Sequence, residues 1–287
     1  MRNNYLNILS IVFCPILLLL QFSAIGQKKF LNVKTPLFVS DTGRCNPLNH
    51  DNKIFIPSRT FTYSILHIDS AGRELNFCMK YNPLCKVNKS IPCLDWSIQI
   101  PENDTTLYPI TIIKLYVLKG IALDESYSRE QSIIRYDFFN GFGKIGVGEG
   151  TGVIEDSTQI LLHPPRSHGF ILNELNPFPQ IKFPIKIGNT WKRYLSFGKG
   201  YTTSFKIPYF ENVENVTIEH TYIIENEEDL ETNFGLVHCS IVKGESGKYL
   251  WGSTQSKMYF SPKLGFMKII NNNYDKSTTT YTLAKIE

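Results

Sequence analysis

Apolar and polar residues alternate through most of the second half of the chain, and this pattern predicts β-strands. Val216, Ile218, His220, Tyr222 and Ile224 fall on one side of such a segment, with threonine and glutamate residues on the other. The period is two residues rather than the 3.6 of a helix. From residue 132 onward we predict strands at Ser132–Phe139, Val153–Leu162, Tyr201–Ile207, Val213–Glu225, Gly235–Lys243, Lys248–Trp251, Lys257–Phe260, Phe266–Ile270 and Ser277–Ile286.

The first half of the chain adds fewer regular segments. Strands are predicted at Phe61–Ile68, Glu74–Met79 and Leu107–Leu118, and a short helix with little apolar surface at Asp124–Gln131. Turn-forming residues separate the later strands, at Glu245–Gly247, Gly252–Ser253, Ser261–Pro262 and Asn271–Asn273. Because short connections join neighbouring antiparallel strands, the predicted fold is mainly β, an antiparallel sandwich or open half-barrel with few short helices.

The first 26 residues have the organisation of a secretory signal peptide. Arg2 precedes an unbroken apolar run, Ile11–Leu20, which is followed by small residues spaced as Ala24-x-Gly26. The run is too short for a membrane-spanning helix, which needs about 20 residues. Apolar residues on both sides of Cys14 disfavour a lipid anchor there. We therefore expect cleavage after Gly26, an extracytoplasmic location (periplasmic, cell surface or secreted) and no later transmembrane segment.

The mature chain is long enough for one large β domain or two smaller units. A cysteine-containing β region is expected at residues 27–103 and an antiparallel β domain at 104–287, unless the two form one unit. The 30 basic and 26 acidic residues are dispersed along the sequence. Without a basic stripe, the composition does not favour a nucleic-acid partner.

Four cysteines cluster early in the chain, at Cys45, Cys78, Cys85 and Cys93. In an exported protein such a cluster indicates disulfides, and their spacing does not suit zinc. Three pairings are possible, of which Cys78–Cys85 with Cys45–Cys93 is preferred. Cys239 lies in an alternating strand pattern and is predicted to be a buried thiol.

Several short motifs suggest chemistry but lack the context that it needs. Gly141–Gly146 spells G-x-G-x-x-G, yet a strand pattern follows where a dinucleotide site needs a helix. The glycines at every second position of Gly146–Gly152 favour a bend or a close approach of another segment. Gly244–Lys248 lacks the complete phosphate-loop pattern, and Asp41–Gly43 is a lone aspartic-protease triplet. No catalytic residue, cofactor or metal is predicted.

The segment LLHPPRSHGF, Leu161–Phe170, contains the weak candidates for a ligand-binding site, His163, Arg166 and His168. In an extended segment the two histidines project to opposite sides, so they do not readily chelate one metal. We predict a structural corner in which His163 and Arg166 are hydrogen-bonded to backbone. The chain then continues as a long, proline-rich connection, after which Trp191 is predicted to face inward.

Segments between Gly141 and Glu287, among them GTGVIE, LLHPPR, NPFP, PIKIGNTW, FGLVHC and YFSPKLGFMK, resemble uncharacterised secreted proteins of Gram-negative bacteria. The final part also resembles periplasmic half-barrel domains related to lipoprotein carriers, although the cysteine-containing N-terminal half departs from that pattern. The resemblance implies a fold and no catalytic residues. A binding module for a small apolar or glycan ligand is the preferred hypothesis. The alternatives are a structural or adhesion component of the cell envelope and a hydrolase that uses His163, His168 or His238.

Three short triplets have an aspartate followed by a hydroxyl residue. They are Asp69-Ser70-Ala71, Asp104-Thr105-Thr106 and Asp156-Ser157-Thr158. These triplets resemble the short O-glycosylation signal of some secreted Gram-negative proteins.

Overall fold

The computed structural model describes residues 52–88, 91–99, 107–118, 131–166, 168–198, 215–249 and 252–287. The expected signal peptide, Cys45, the Asp41–Gly43 triplet, the Asp124–Gln131 helix up to residue 130 and the Tyr201–Ile207 strand lie outside these residues. The proposed boundary at residues 103 and 104 lies outside them as well.

The described residues form a mainly β structure with one short 3₁₀ helix, His168–Leu175. The strands are β1 Thr60–Ile68, β2 Glu74–Asn88, β3 Ile91–Gln99, β4 Leu107–Ile110, β5 Ile112–Val117, β6 Gln131–Asn140, β7 Gly143–Glu155, β8 Gln159–Leu162, β9 Gln180–Lys182, β10 Thr190–Gly198, β11 Asn215–Thr232, β12 Gly235–Ser246, β13 Gln255–Ser261, β14 Gly265–Asn272 and β15 Thr278–Ile286.

These strands make one large, open antiparallel sheet, which confirms the predicted fold class. The order along its main path is β10-β11-β12-β13-β14-β15-β1-β5-β6-β7-β8-β9, while β2 connects β1 to β3 and β4. The two edge strands, β9 and β10, are consecutive in the chain. A hydrogen bond of 3.0 Å from Trp191 Nε1 on β10 to Gln180 Oε1 on β9 joins these edges. The sheet therefore curls until its edges meet through side chains, without closing into a barrel.

Some predicted strands are divided differently in the structure. The Leu107–Leu118 run breaks at Thr111, because β4 pairs with β2 whereas β5 pairs with β1 and β6. The Val153–Leu162 run is a hairpin of β7 and β8, whose turn is stabilised by the side chain of Asp156. In place of the predicted Lys248–Trp251 strand, the described residues show only a bridge between Tyr249 and Gly252.

The alternate glycines of β7 make room for side chains of the neighbouring strand β6. A Cβ atom on Gly148 would lie 2.0 Å from Asp137 Oδ1, and one on Gly152 would lie 2.1 Å from Gln131 Oε1. Asp137 is buried in this space and forms ion pairs with Arg135 and Lys144. The close approach predicted from the glycine pattern is thus confirmed, and its source is β6.

Residues 163–179, between β8 and β9, run across the inner face of the sheet and are called the strap below. Its 3₁₀ helix places the ring of Phe170 between those of Phe77 and Phe138, with centroid distances of 4.4 and 5.1 Å. All three rings are buried in the main apolar core. Since the strap fills the inner face, the candidate site has to be sought where strap and sheet meet.

The structure differs from the expected Cys78–Cys85 disulfide. Cys78 has a free, buried thiol, and both residues lie in the single strand β2. Because the Cys78 thiol is free, the expected bond to Cys85 is absent from this structure. The Cys45–Cys93 pairing stays a prediction, because Cys45 lies outside the described residues.

Cys239 is a free and fully buried thiol on β12, as predicted. Burial raises the pKa of its thiol to about 11. A thiol that stays protonated is a poor nucleophile, so Cys239 acts as a small core residue.

Candidate functional site

The strap begins at His163, whose ring lies in the interior of the protein. His163 Nδ1 lies 2.9 Å from the carbonyl oxygen of Pro164, and its own carbonyl accepts a 2.7 Å hydrogen bond from the hydroxyl of Tyr136. Burial, followed by the charge of Arg166, holds the pKa of His163 well below its usual value. The predicted contact of His163 with backbone is therefore confirmed, and the ring is a neutral part of the corner.

The structure places two of the three candidate residues near each other, since the charge of Arg166 acts on the ring of His163. The backbone N–H of Arg166 donates to Glu149 Oε1 at 2.8 Å, which ties the strap to β7. His168 begins the 3₁₀ helix, and its side chain is not among the parts of the chain that the structure describes. The ring of His163 lies against further buried ionisable groups.

These groups form what we call the ionisable cluster, which consists of His163, Glu174, Arg193, His220 and Tyr222. His163 Nε2 lies 3.7 Å from Glu174 Oε1 on the strap. Arg193 on β10 is paired in register with His220 on β11. All members are less than a tenth exposed. The cluster therefore links the strap to the edge of the sheet that contains β10 and β11.

Aromatic rings surround the charged members of the cluster. The guanidinium carbon of Arg193 lies 4.4 Å from the centre of the Phe178 ring, and Trp191 stacks in parallel on Tyr222 at 5.2 Å. Burial, followed by the charge of Arg193, lowers the pKa of His220 to about 3. Burial also raises the pKa of Tyr222 to about 12. Both rings are consequently neutral at physiological pH. Burial lowers the pKa of Arg193, and the charges of Tyr222 and Glu174 act against this.

A second polar group, the amide cluster, joins the strap to β14 and the turn that follows it. It consists of Asn173, Asn176, Asn271 and Asn273. Asn173 Nδ2 donates to the Pro165 carbonyl at 2.8 Å and to the Tyr281 hydroxyl at 2.9 Å. Asn176 Nδ2 donates to Asn273 Oδ1 at 2.7 Å. Neutral amides here replace the backbone partners that the irregular strap lacks.

The amide cluster corrects one prediction from the sequence. Asn271–Asn273 was expected to be a turn, but β14 continues through Asn272 and the turn begins later. Asn271 and Asn273 are buried, whereas Asn272 is exposed. The inward amides are stable because strap groups and nearby hydroxyls bind them.

A small cavity lies beneath the proline corner of the strap, next to the amide cluster. Its volume is about 30 Å³, and its lining includes Tyr63, Ile113, Tyr136, Pro164, Ile269 and Tyr281. A cavity of this size holds about one water molecule or one methyl group. We call it the strap pocket. None of its residues was identified from the sequence as a site, because they come from six separate segments.

His238, another hydrolase candidate, lies on β12 and is exposed to solvent. Its Nδ1 lies 2.7 Å from Asp229 Oδ1 and its Nε2 lies 3.3 Å from Glu227 Oε2. These carboxylates, Asp229 first, raise the pKa of His238. Both ring nitrogens are engaged, so the residue forms an ion-paired surface contact.

The described residues show neither a metal-binding group nor a membrane-spanning helix. Among them, no group of three or more His, Cys, Asp or Glu side chains is arranged to hold a metal ion. In the same part of the chain, no helix has the length and apolar character to cross a membrane.

Comparison with known proteins adds a few structural likenesses. No family model and no curated protein matches the sequence. The chain is similar to a Bacteroides fragilis protein described as exported and of YmcC-like fold (11% identity, TM-score 0.43, 80% of this chain and 96% of that one). It is also similar to a protein from Parabacteroides distasonis described as a lipoprotein (11%, 0.41, 82% and 99%) and to the hypothetical lipoprotein YmcC from Escherichia coli (11%, 0.32, 82% and 90%). We draw no functional argument from likenesses at this level.

Proposed function

We propose that the protein is an extracytoplasmic, non-enzymatic binding module that holds a small apolar group in the strap pocket. The observation that supports this is a pocket at the foot of the strap, formed by side chains from six segments. A ligand that is larger than a methyl group enters as the Pro164–Pro165 corner moves outward. The N-terminal residues of the chain support export, as argued from their sequence.

The lining of the strap pocket favours an apolar ligand over a glycan. Tyr63 donates its hydroxyl to the carbonyl of Phe266 at 3.0 Å, and Tyr136 donates to that of His163. The hydroxyl of Tyr281 is engaged by Asn173. The lining also includes the amide of Asn271, which is hydrogen-bonded to Ser256 and Asn173, so the surface that is left is aromatic, aliphatic and proline. A sugar would need polar partners that these residues do not offer, whereas the end of an alkyl chain needs none.

The hydrolase alternative is disfavoured by the positions of two of its three histidines, His163 and His238. A general base must lie within hydrogen-bonding reach of the group that it deprotonates. His163 is buried with its Nδ1 against the Pro164 carbonyl, and both ring nitrogens of His238 face carboxylates. The envelope-component alternative has no specific contact in its favour.

Native mass spectrometry of protein purified from its own envelope, followed by extraction of bound molecules, tests the proposal. The wild type is expected to retain a small apolar molecule. Replacement Ile269→Phe, which fills the pocket, is expected to abolish retention. Ile270→Phe is the matched control, because the neighbouring residue has its side chain on the other face of β14.

Both variants must melt within a few degrees of the wild type for the comparison to count. If Ile269→Phe unfolds, Ile113→Met serves as a milder filling variant at the same pocket. A wild type that is free of bound molecules, or equal retention by both folded variants, would contradict the proposal.

A further inference from the structure

Two hairpin turns of the protein have the same local chemistry, although they are far apart in the chain. In the turn between β1 and β2, Asp69 Oδ1 accepts the backbone N–H groups of Ala71 and Arg73, both at 2.9 Å. Its Oδ2 accepts from Arg73 Nε at 2.8 Å. The carboxylate therefore fixes the turn, and Ser70 is left exposed at its tip.

The turn between β7 and β8 repeats this arrangement. Asp156 Oδ1 accepts the backbone N–H groups of Thr158 and Gln159, at 2.6 and 3.0 Å. It also accepts the hydroxyl of Thr158 at 2.6 Å. Ser157 follows the aspartate and is exposed, as Ser70 is in the first turn. In both places a seryl hydroxyl projects into solvent from a rigid, aspartate-stabilised hairpin end.

A third aspartate turn shows that this exposure does not follow from the turn type alone. Asp275 Oδ1 accepts the backbone N–H of Ser277 at 3.0 Å and also its hydroxyl. Here a lysine stands directly after the aspartate, and Ser277 is buried and hydrogen-bonded to Asn273. The two exposed serines thus share a position, immediately after the aspartate, that leaves the hydroxyl available to an enzyme.

We propose that Ser70 and Ser157 are acceptor sites for O-linked glycosylation after export. The Oγ atom of each serine would bond to the anomeric carbon of a sugar carried on a lipid diphosphate. The bond between that carbon and the phosphate oxygen breaks, the diphosphate leaves, and the hydroxyl proton passes to a base of the transferase. Both turns present an exposed serine directly after an aspartate that is fixed by backbone hydrogen bonds, so a single transferase recognises both.

Glycosylation is favoured over phosphorylation by the compartment in which the folded turns exist. Phosphoryl transfer to serine requires a nucleoside triphosphate, which an extracytoplasmic location does not supply. A lipid-linked sugar donor is delivered at the membrane and fits that location. The hairpin ends also tolerate a bulky, hydrated substituent at Ser70 and Ser157, since both serines are exposed.

The test is intact-mass and peptide mass spectrometry of the full chain purified from the envelope of its native host. We expect a carbohydrate mass on the peptides that contain Ser70 and Ser157. Ser70→Ala and Ser157→Ala should each remove one such mass and leave the other site unchanged. Ser70→Thr should retain it.

Ser253→Ala is the matched control, because Ser253 is an exposed loop serine that follows Gly252 and no aspartate. This replacement should leave the mass profile unchanged. Asp156→Asn, which alters the residue before the acceptor, should reduce occupancy at Ser157 without unfolding the protein. Unmodified Ser70 and Ser157 peptides at full recovery, or a phosphate mass in place of a carbohydrate, would overturn the proposal.

Discussion

The amide cluster and the ionisable cluster bind the same strap to two parts of the same sheet, and they do so by different chemistry. In the amide cluster, neutral side chains reach backbone carbonyls and hydroxyls at hydrogen-bonding distance. In the ionisable cluster, ionisable side chains are buried among aromatic rings, with Arg193 against Phe178 and the neutral ring of His163 at 3.7 Å from Glu174.

This difference implies that the two sides of the strap respond to different conditions. Neutral amides keep their hydrogen bonds over the whole range of ordinary pH. The stability that buried histidines and buried charged groups contribute depends on their protonation, and burying these groups costs desolvation free energy. The β10–β11 side should therefore loosen in acid, while the β14 side and the strap pocket next to it hold.

The largest expected effect on the ionisable side comes from removing Trp191. Trp191→Ala deletes the ring that stacks on Tyr222 and the hydrogen bond to Gln180 that joins the two sheet edges. The free energy of unfolding should fall by about 3–5 kcal/mol. Chemical denaturation measures it. Trp191→Phe keeps a ring and should lose less, so equal losses in the two variants would show that packing is not the cause.

On the amide side, Asn173→Ala should cost about 2–4 kcal/mol, because it leaves the Pro165 carbonyl and Tyr281 hydroxyl without their buried partner. The same denaturation experiment measures this loss. Asn272→Ala is the control, since Asn272 is an exposed residue of the same type on β14. Its effect should stay within about 0.5 kcal/mol. A similar loss in both variants would argue against a specific role for the buried amides.

The acid dependence of stability separates the clusters directly. Burial lowers the pKa of His220 to about 3, so the folded protein does not take up a proton there as the pH falls below the unfolded value of about 6.5. The stability that neutral His220 contributes is fully present above pH 6.5 and is lost on acidification, because only the unfolded chain takes up the proton. The free energy of unfolding should fall by about 2 kcal/mol between pH 7 and pH 5 from this residue. Denaturation at several pH values should show a shallower acid slope for His220→Gln. An unchanged slope would mean that other groups control it.

The smallest expected effect has the opposite sign and lies outside both clusters. Asp229 and Glu227 raise the pKa of His238 in the folded protein. The stability that these ion pairs contribute is therefore present below the pKa of the unfolded state and is lost as the pH rises through the pKa of the folded state. His238→Gln should therefore lower the melting temperature slightly at pH 5.5 and not at pH 9. A difference that persists at pH 9 would point to packing instead of ion pairing.

Much of the framework could be predicted from the sequence, since alternation reports which side of a strand is buried. It placed Trp191 inward and put His220 and Tyr222 on one face of β11. The ionisable cluster could not be predicted, because it depends on the register that sets Arg193 beside His220, 27 positions away, and on the path of the strap. Asn271 and Asn273 were assigned to a turn because asparagine is common in turns. Their burial depends on amide and hydroxyl partners in the strap and in the turn after β14.

The central claim is that the strap pocket accepts an apolar group, and methyl resonances report on it most directly. We would label isoleucine and leucine methyls and titrate the protein with 1-hexanol at neutral pH. The methyl signals of Ile113, Ile269 and Leu162, which line the pocket, should shift in a saturable way, while those of Ile270 and Ile133 stay in place. Uniform small shifts at all five residues, or shifts confined to Ile270 and Ile133, would contradict the account.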